Sequence, residues 1–270
     1  MADPQAQGEW PRHRGRGRRV AAFIAMVLGL AGLAASLVGV AIQVLPRHFT
    51  AGQQQQIRAW EVSSRWQELT AGQIFPASVT YQLPAAVLYD TVPLNLAAAR
   101  VGIAAPSGCG SGVTAAAAAV LRRDGCLAVL RATYADATQT YVMTVGVAVL
   151  PSAAAATSAA HQLSAPQLTS AHEKGGTDTS AAAGVLAVTF RGTAAGLYDY
   201  SKQVTGTSAE GPYLVMYAAG YTDGRPRVRV SQDSYSYAEM TSLASGVAQS
   251  VASTLAATPP PPHCPGSPGC

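Results

Sequence analysis

The hydropathy pattern is dominated by one uninterrupted apolar segment near the start of the chain. Residues 20–45 contain no Asp, Glu, Lys, Arg or His, and Pro46 follows them. A helix of this length reaches roughly 39 Å at about 1.5 Å per residue, which exceeds the ~30 Å hydrocarbon core of a bilayer. The pattern therefore predicts a transmembrane signal-anchor. A cleaved signal peptide is the alternative, although its apolar core usually runs only about 7–15 residues.

A mixed polar and apolar pattern follows the anchor. Residues 53–69 place Ile57, Trp60 and Val62 among charged side chains, which predicts a helix within a juxtamembrane stalk, 46–75. The rings of Trp60 and Trp66 suit a membrane interface or packing on the next domain, and their spacing does not separate the two. Three prolines make residues 72–93 an irregular lead into that domain.

The patterns beyond the stalk alternate between strand and helix within a predicted domain, 76–257. The clearest strand is 141–150, in which valines and other apolar residues recur at every second position. A polar turn at 136–139 joins it to the preceding strand as a hairpin. The other predicted strands are 99–104, 126–134, 185–191, 213–221 and 228–230, and the predicted helices are 111–123, 151–163 and 233–255.

Two successive strand–strand–helix units indicate the fold class. Such units predict an antiparallel sheet with helices packed on one face, an α+β domain. A polar segment, 164–180, reads as a surface loop. The last residues, 258–270, are rich in Pro and Gly and predict a disordered tail.

Charge separates the two sides of the anchor. Residues 1–19 hold five Arg against Asp3 and Glu9, a net charge of +3, and the remaining chain holds thirteen basic against twelve acidic residues, a net charge of +1. The positive-inside rule then predicts a cytoplasmic tail at 1–19, a single-pass plasma-membrane protein and a domain outside the membrane. Because the basic excess sits on this tail, lipid headgroups of the bilayer are the predicted partner, and nucleic acid is not.

The four cysteines fit an oxidising compartment. Cys109 and Cys126 bracket the predicted helix at 111–123, and we expect them to form a disulfide. Cys264 and Cys270 lie in the tail, where they pair with each other or with another chain. His263 beside Cys264 is a poor metal cage, so no metal site is predicted.

Glycines at 108, 110 and 112 follow a strand and open a helix, which is the order of a dinucleotide-binding unit. The third glycine of that motif would fall at Val113, and Cys109 is better explained by a disulfide. Ser111 also lacks the glycine that a nucleophile elbow needs two residues earlier. No cofactor is therefore predicted.

Other candidate side chains are dispersed. His161 and the His172–Glu173 pair lack metal-ligand spacing, so solvated histidines are expected. Tyr213, Tyr217 and Tyr221 share one strand face and are candidate ligand-facing residues, although such a stripe often packs beneath a helix. Arg225, Arg227 and Arg229 alternate along a predicted strand, which indicates a solvated face. The remaining candidates for a carboxylate pair are Asp199, Asp223, Asp233 and Glu239.

Two stretches behind the arginine-led anchor carry a family resemblance: Cys126-Leu-Ala-Val-Leu-Arg-Ala-Thr-Tyr-Ala-Asp, and Val145-Gly-Val-Ala-Val-Leu-Pro-Ser-Ala-Ala-Ala-Ala. With them the chain resembles uncharacterised actinobacterial single-pass membrane proteins with an extracytoplasmic α+β domain. A looser likeness is to extracytoplasmic sensor domains of actinobacterial receptor kinases, but the chain has no kinase.

The predicted function is a non-enzymatic binding or scaffolding protein of the cell envelope, whose partner is an envelope protein or wall component. The alternatives are a sensor-type ligand-binding domain and an envelope hydrolase with a dispersed site.

Overall fold

The computed structural model describes Met26 and five longer ranges of the chain, which are 50–88, 92–164, 184–198, 202–225 and 234–257. The chain divides into two compact units, Met1–Gly52 with Pro261–Cys270, and Gln53–Pro260; the second holds the whole sheet. The predicted cytoplasmic tail, anchor and C-terminal tail lie outside the described residues, apart from Met26. Within the part of the chain that is described, no helix combines the length and apolarity needed to cross a membrane.

Six antiparallel strands form one sheet in the order β1-β2-β3-β4-β6-β5, and the sheet curves as a half-barrel. The predicted α+β class and antiparallel sheet are therefore confirmed. The strands are β1 Ser78–Leu83, β2 Leu94–Ile103, β3 Ala128–Asp136, β4 Tyr141–Val149, β5 Lys202–Glu210 and β6 Tyr213–Tyr221.

The helices begin where side chains satisfy free backbone amides. Thr70 and Gln73 form a reciprocal capping box at α2. The hydroxyl of Thr114 accepts from the Ala117 amide and caps α3. The helix was predicted to begin at Ser111, but Ser111 precedes it and its hydroxyl donates to the Gly108 carbonyl. The helices are α1 Ala51–Glu68, α2 Ala71–Ile74, α3 Ala115–Arg123, α4 Ala153–Ser164 and α5 Tyr235–Ala256, with a 3₁₀ turn at Ala85–Leu88.

The core lies on both faces of β4, whose nine residues are all buried. Its odd-numbered side chains, with those of β6, form one cluster with α5, so this helix packs on one face of the sheet. Ala148, at an even-numbered position of β4, belongs to a second cluster. This cluster includes residues of α3 and α4. Because successive strand residues point to opposite faces, these two short helices cover the side away from α5.

Three segments differ from the predicted secondary structure. Residues 185–191 were expected to form a strand, but only Val185 makes an isolated bridge, with Val113. The segment crosses a sheet face instead: Val188 donates its amide to Thr144 Oγ1 and accepts from Thr133 Oγ1. Strand β1 lies in the stretch predicted as irregular, and β5 was not predicted. Both are edge strands, and pairing with a neighbour overrides their weak local preference.

The predicted disulfide joins Cys109 to Cys126 with a Cα–Cα distance of 6.0 Å. Both residues pack against the α3–α4 cluster. The bond therefore closes the loop that carries α3 and holds both ends of this helix over the sheet. The pairing predicted for Cys264 and Cys270 lies outside the described residues.

Replacing Cys109 and Cys126 together with Ser should lower the free energy of unfolding by about 3 kcal/mol, because the unfolded chain regains the entropy of an open loop. Thermal unfolding under non-reducing conditions should show a melting temperature several degrees lower. Ser111→Ala, in the same loop, should leave it unchanged. An unchanged melting temperature in the double variant would show that the bond does not brace the fold.

Candidate functional site

The C-terminal half of α1 is attached to the sheet. Val62 and Trp66 pack against the main core cluster. The Tyr213 hydroxyl donates to the Val62 carbonyl at 2.5 Å, and Arg65 Nε donates to the Thr254 carbonyl at 2.9 Å. Burial raises the pKa of Tyr213, so its hydroxyl stays protonated as a donor. One end of α1 is therefore fixed to β6 and α5.

The first ten residues of α1 are exposed. They form one wall of a cavity of about 540 Å³, which we call the α1 groove. Two turns form the facing wall, one after β4 and one between β5 and β6. The lining residues are Gln55, Arg58, Ala59, Trp60, Val62 and Ser63 on α1, Pro151, Ser152 and Ala153 after β4, and Gly211 and Pro212 between β5 and β6.

Gly211 lets the β5–β6 turn approach α1. Its φ of +53° is one that other residues rarely adopt. A Cβ at this position would lie 3.4 Å from Val62 Cγ1. The Pro212 carbonyl accepts from the Leu150 amide at 2.9 Å, which ties the two turns together. The facing wall is thus held by backbone contacts.

The groove is mostly apolar and carries a single formal charge among its lining residues, on Arg58. Trp60, 66 % exposed, presents its ring at the rim, whereas Trp66 packs against the core. The structure therefore assigns different places to the two tryptophans that the sequence could not separate. A cavity of this size and lining has the properties of a ligand site, since such pockets measure about 300–1,000 Å³ and combine apolar walls with a few polar groups.

The three candidate tyrosines lie together on the α5-facing side of β6. Tyr213 is fully buried, and its hydroxyl bonds to α1. Tyr217 lies across Gly206 of the paired strand, where an added Cβ would come 2.2 Å from the phenol oxygen. Tyr221 contacts Tyr141, with ring centroids 5.6 Å apart. Tyr213 and Tyr221 belong to the main core cluster, Tyr217 packs against it, and none of the three lines the α1 groove.

Two buried carboxylates lie near the end of β4 that is away from the α1 groove. Asp136 is 3 % exposed and accepts from the amides of Tyr141 and Thr138, so it holds the β3–β4 turn. Glu239, on the first turns of α5, is 7 % exposed. Burial, together with the nearby Asp136, raises the pKa of Glu239 above its ordinary value, and a hydrogen bond with Tyr235 opposes the shift. The sequence indicated Glu239 as a candidate for a carboxylate pair with Asp199, Asp223 or Asp233. The structure places it near Asp136 instead.

The remaining candidates do not converge. His161 is exposed on the last turn of α4. Asp223 forms an exposed ion pair with Arg225, Nη2 to Oδ2 at 2.5 Å, and the Arg225 guanidinium lies 4.4 Å from the centre of the Tyr221 ring. That guanidinium lowers the pKa of Asp223. His172, Glu173, Asp199, Arg227, Arg229, Asp233 and His263 lie outside the described residues.

No metal-binding group was found among the described residues, where no three His, Cys, Asp or Glu side chains come together. The glycines at 108, 110 and 112 belong to the loop braced by the disulfide. The sequence did not predict the α1 groove, because the two turns of its facing wall follow α1 by about 90 and 150 residues. An exposed tryptophan on the stalk helix was the one local signal.

Comparison with protein-family models, with curated proteins and with solved structures finds no match for this chain. The resemblance to actinobacterial single-pass proteins stays a prediction. The geometry of the α1 groove is therefore the basis for inferring a function.

Glu239→Gln should stabilise the domain at neutral pH more than at pH 4. A carboxyl group whose pKa is raised on folding stabilises the fold below its unfolded pKa, and this contribution is lost as pH rises through the folded pKa. The amide keeps an acceptor for Tyr235 without the cost of burying a charge. Melting temperatures measured between pH 4 and pH 7 should therefore diverge in favour of the variant.

Glu210→Gln is the matched control, since it makes the same change at an exposed strand end. Because this side chain is exposed, Glu210→Gln should not raise the melting temperature at neutral pH. A Glu239→Gln gain that is constant across this pH range would contradict the raised pKa.

Proposed function

We propose that the chain is a membrane-anchored, extracytoplasmic binding or scaffolding protein of the cell envelope, and that it binds its partner in the α1 groove. The observation that carries this proposal is the groove itself, an apolar cavity of about 540 Å³ with an exposed tryptophan at its rim. A hydrogen bond from Tyr213 of β6 holds one wall, and a backbone hydrogen bond between Leu150 and Pro212 holds the other. A site of this kind selects a ligand by shape and apolar contact.

The short stretch of sequence between the predicted anchor and α1 supports a partner in the envelope. The predicted anchor ends at Leu45, and α1 begins at Ala51. A domain presented in this way meets components of the envelope before any others. The anchor, the orientation and the plasma-membrane location are part of the proposal.

A sensor-type ligand-binding domain is a second candidate, because the same groove would serve as its input site. An envelope hydrolase has less support. Its best carboxylate pair is Asp136 with Glu239, and the Asp136 oxygens already accept from the amides of the β3–β4 turn. A carboxylate engaged in this way serves the fold and is poorly placed to act on a substrate.

Fusion of a reporter that is active only outside the cytoplasm tests the orientation. The reporter should be active after Ala257 and inactive before Arg12, because five arginines hold the N-terminus inside. Replacing these arginines with Gln should weaken or invert the membrane orientation that the reporter measures. The reverse pattern of activity in the parent chain would overturn the proposed location.

A photoreactive benzoylphenylalanine in place of Trp60 tests the groove as a binding site. Irradiation of cells should give discrete adducts, because this side chain lies at the rim of the groove. The control places the same residue at Leu127, which is 62 % exposed and does not line the groove. Adducts that are identical at the two positions would refute a specific site.

A further inference from the structure

We propose that the α1 groove receives an anionic membrane lipid, with the headgroup at Arg58 and an acyl chain against the apolar wall. This inference rests on the proposed function, in which the groove is the binding site, and adds the chemical class of the ligand.

Charge complementarity sets the sign of the headgroup. Arg58 is the one charged residue that lines the groove. The exposed half of α1, residues 51–60, contains no Asp or Glu, and Glu61 is not part of the lining. A guanidinium beside an apolar wall matches a ligand that has one anionic end and an aliphatic body.

The exposed apolar side chains of α1 match the interfacial region of a bilayer. Trp60 is 66 % exposed and Ile57 is 38 % exposed on the same half of the helix. An indole ring is favoured at the level of the lipid headgroups, where its apolar body and its N–H group are both accommodated. A water-soluble anion in the groove would leave the Trp60 ring uncovered, whereas an acyl chain would cover it.

A short stretch of sequence separates the predicted anchor from α1, since six residue steps lead from Leu45 to Ala51. In the proposed membrane-anchored protein, bilayer lipid is therefore available as a ligand.

The test uses the full-length chain reconstituted in vesicles. All variants carry Trp10→Phe, so that Trp60 and Trp66 are the remaining tryptophans. The probe is phosphatidylglycerol with brominated acyl chains, titrated into phosphatidylcholine, and bromine quenches tryptophan emission on contact. We expect quenching that Trp60→Phe removes and Trp66→Phe preserves, because Trp66 packs against the core.

Two further variants test the headgroup and the groove. Arg58→Gln should raise the half-saturating fraction of anionic lipid about fivefold, the factor expected for one basic residue at an anionic surface. Arg123→Gln is the control, since this exposed cation lies on α3. Ala153→Leu adds bulk to the facing wall and should reduce quenching, a response that a tryptophan merely close to the membrane would not show.

Quenching that survives Trp60→Phe, or that brominated phosphatidylcholine produces equally well, would overturn the proposal. So would an unchanged response in Ala153→Leu with a native melting temperature. If the photoreactive residue at position 60 captures a protein and bromolipid does not quench Trp60, the lipid fails as ligand and the proposed function stands. If position 60 captures nothing beyond the Leu127 control and bromolipid does not quench Trp60, the groove fails as a binding site and both fail together.

Discussion

The fold depends on covering both faces of the two central strands. All nine residues of β4 are buried, and β6 pairs with it from Tyr141↔Tyr221 to Val149↔Tyr213. An apolar strand buried in this way requires a layer on each side. The long helix α5 supplies one layer, and α3, α4 and residues 184–198 supply the other. Buried threonines hold that second layer in place, since the hydroxyls of Thr133 and Thr144 lie 3.0 Å apart and bond to the backbone of Val188.

Tyrosines on the α5 side connect the core to the segments around it. The Tyr134 hydroxyl donates to the Pro76 carbonyl at 2.9 Å, and the Tyr213 hydroxyl donates to the Val62 carbonyl. Each ring is buried while its polar end meets a backbone acceptor, as buried tyrosines require. The attachment of α1, and with it the α1 groove, is thus a consequence of core packing.

The two ends of β4 differ in their chemistry. At one end, Asp136 and Glu239 are enclosed by backbone amides and tyrosines. At the other end, Pro151 lines an open cavity in which Arg58 is the one charged lining residue. Groups that are already satisfied by the protein have little left for a ligand, whereas an apolar wall and an exposed indole have only solvent to displace. This contrast is the reason for proposing the α1 groove as a binding site.

Local patterns determined the central elements. Period-two alternation identified β4, apolar periodicity identified α5, and the positions of Cys109 and Cys126 identified the disulfide, because each signal is contained in a short stretch of sequence. Tertiary structure alone decided the strand character of β5, the path of residues 185–191 and the roles of the tyrosines. It also assembled the groove, since Trp60, Pro151 and Pro212 meet only after the sheet has formed. Edge pairing and long-range contact depend on what lies opposite in space, and no single stretch of the sequence records that.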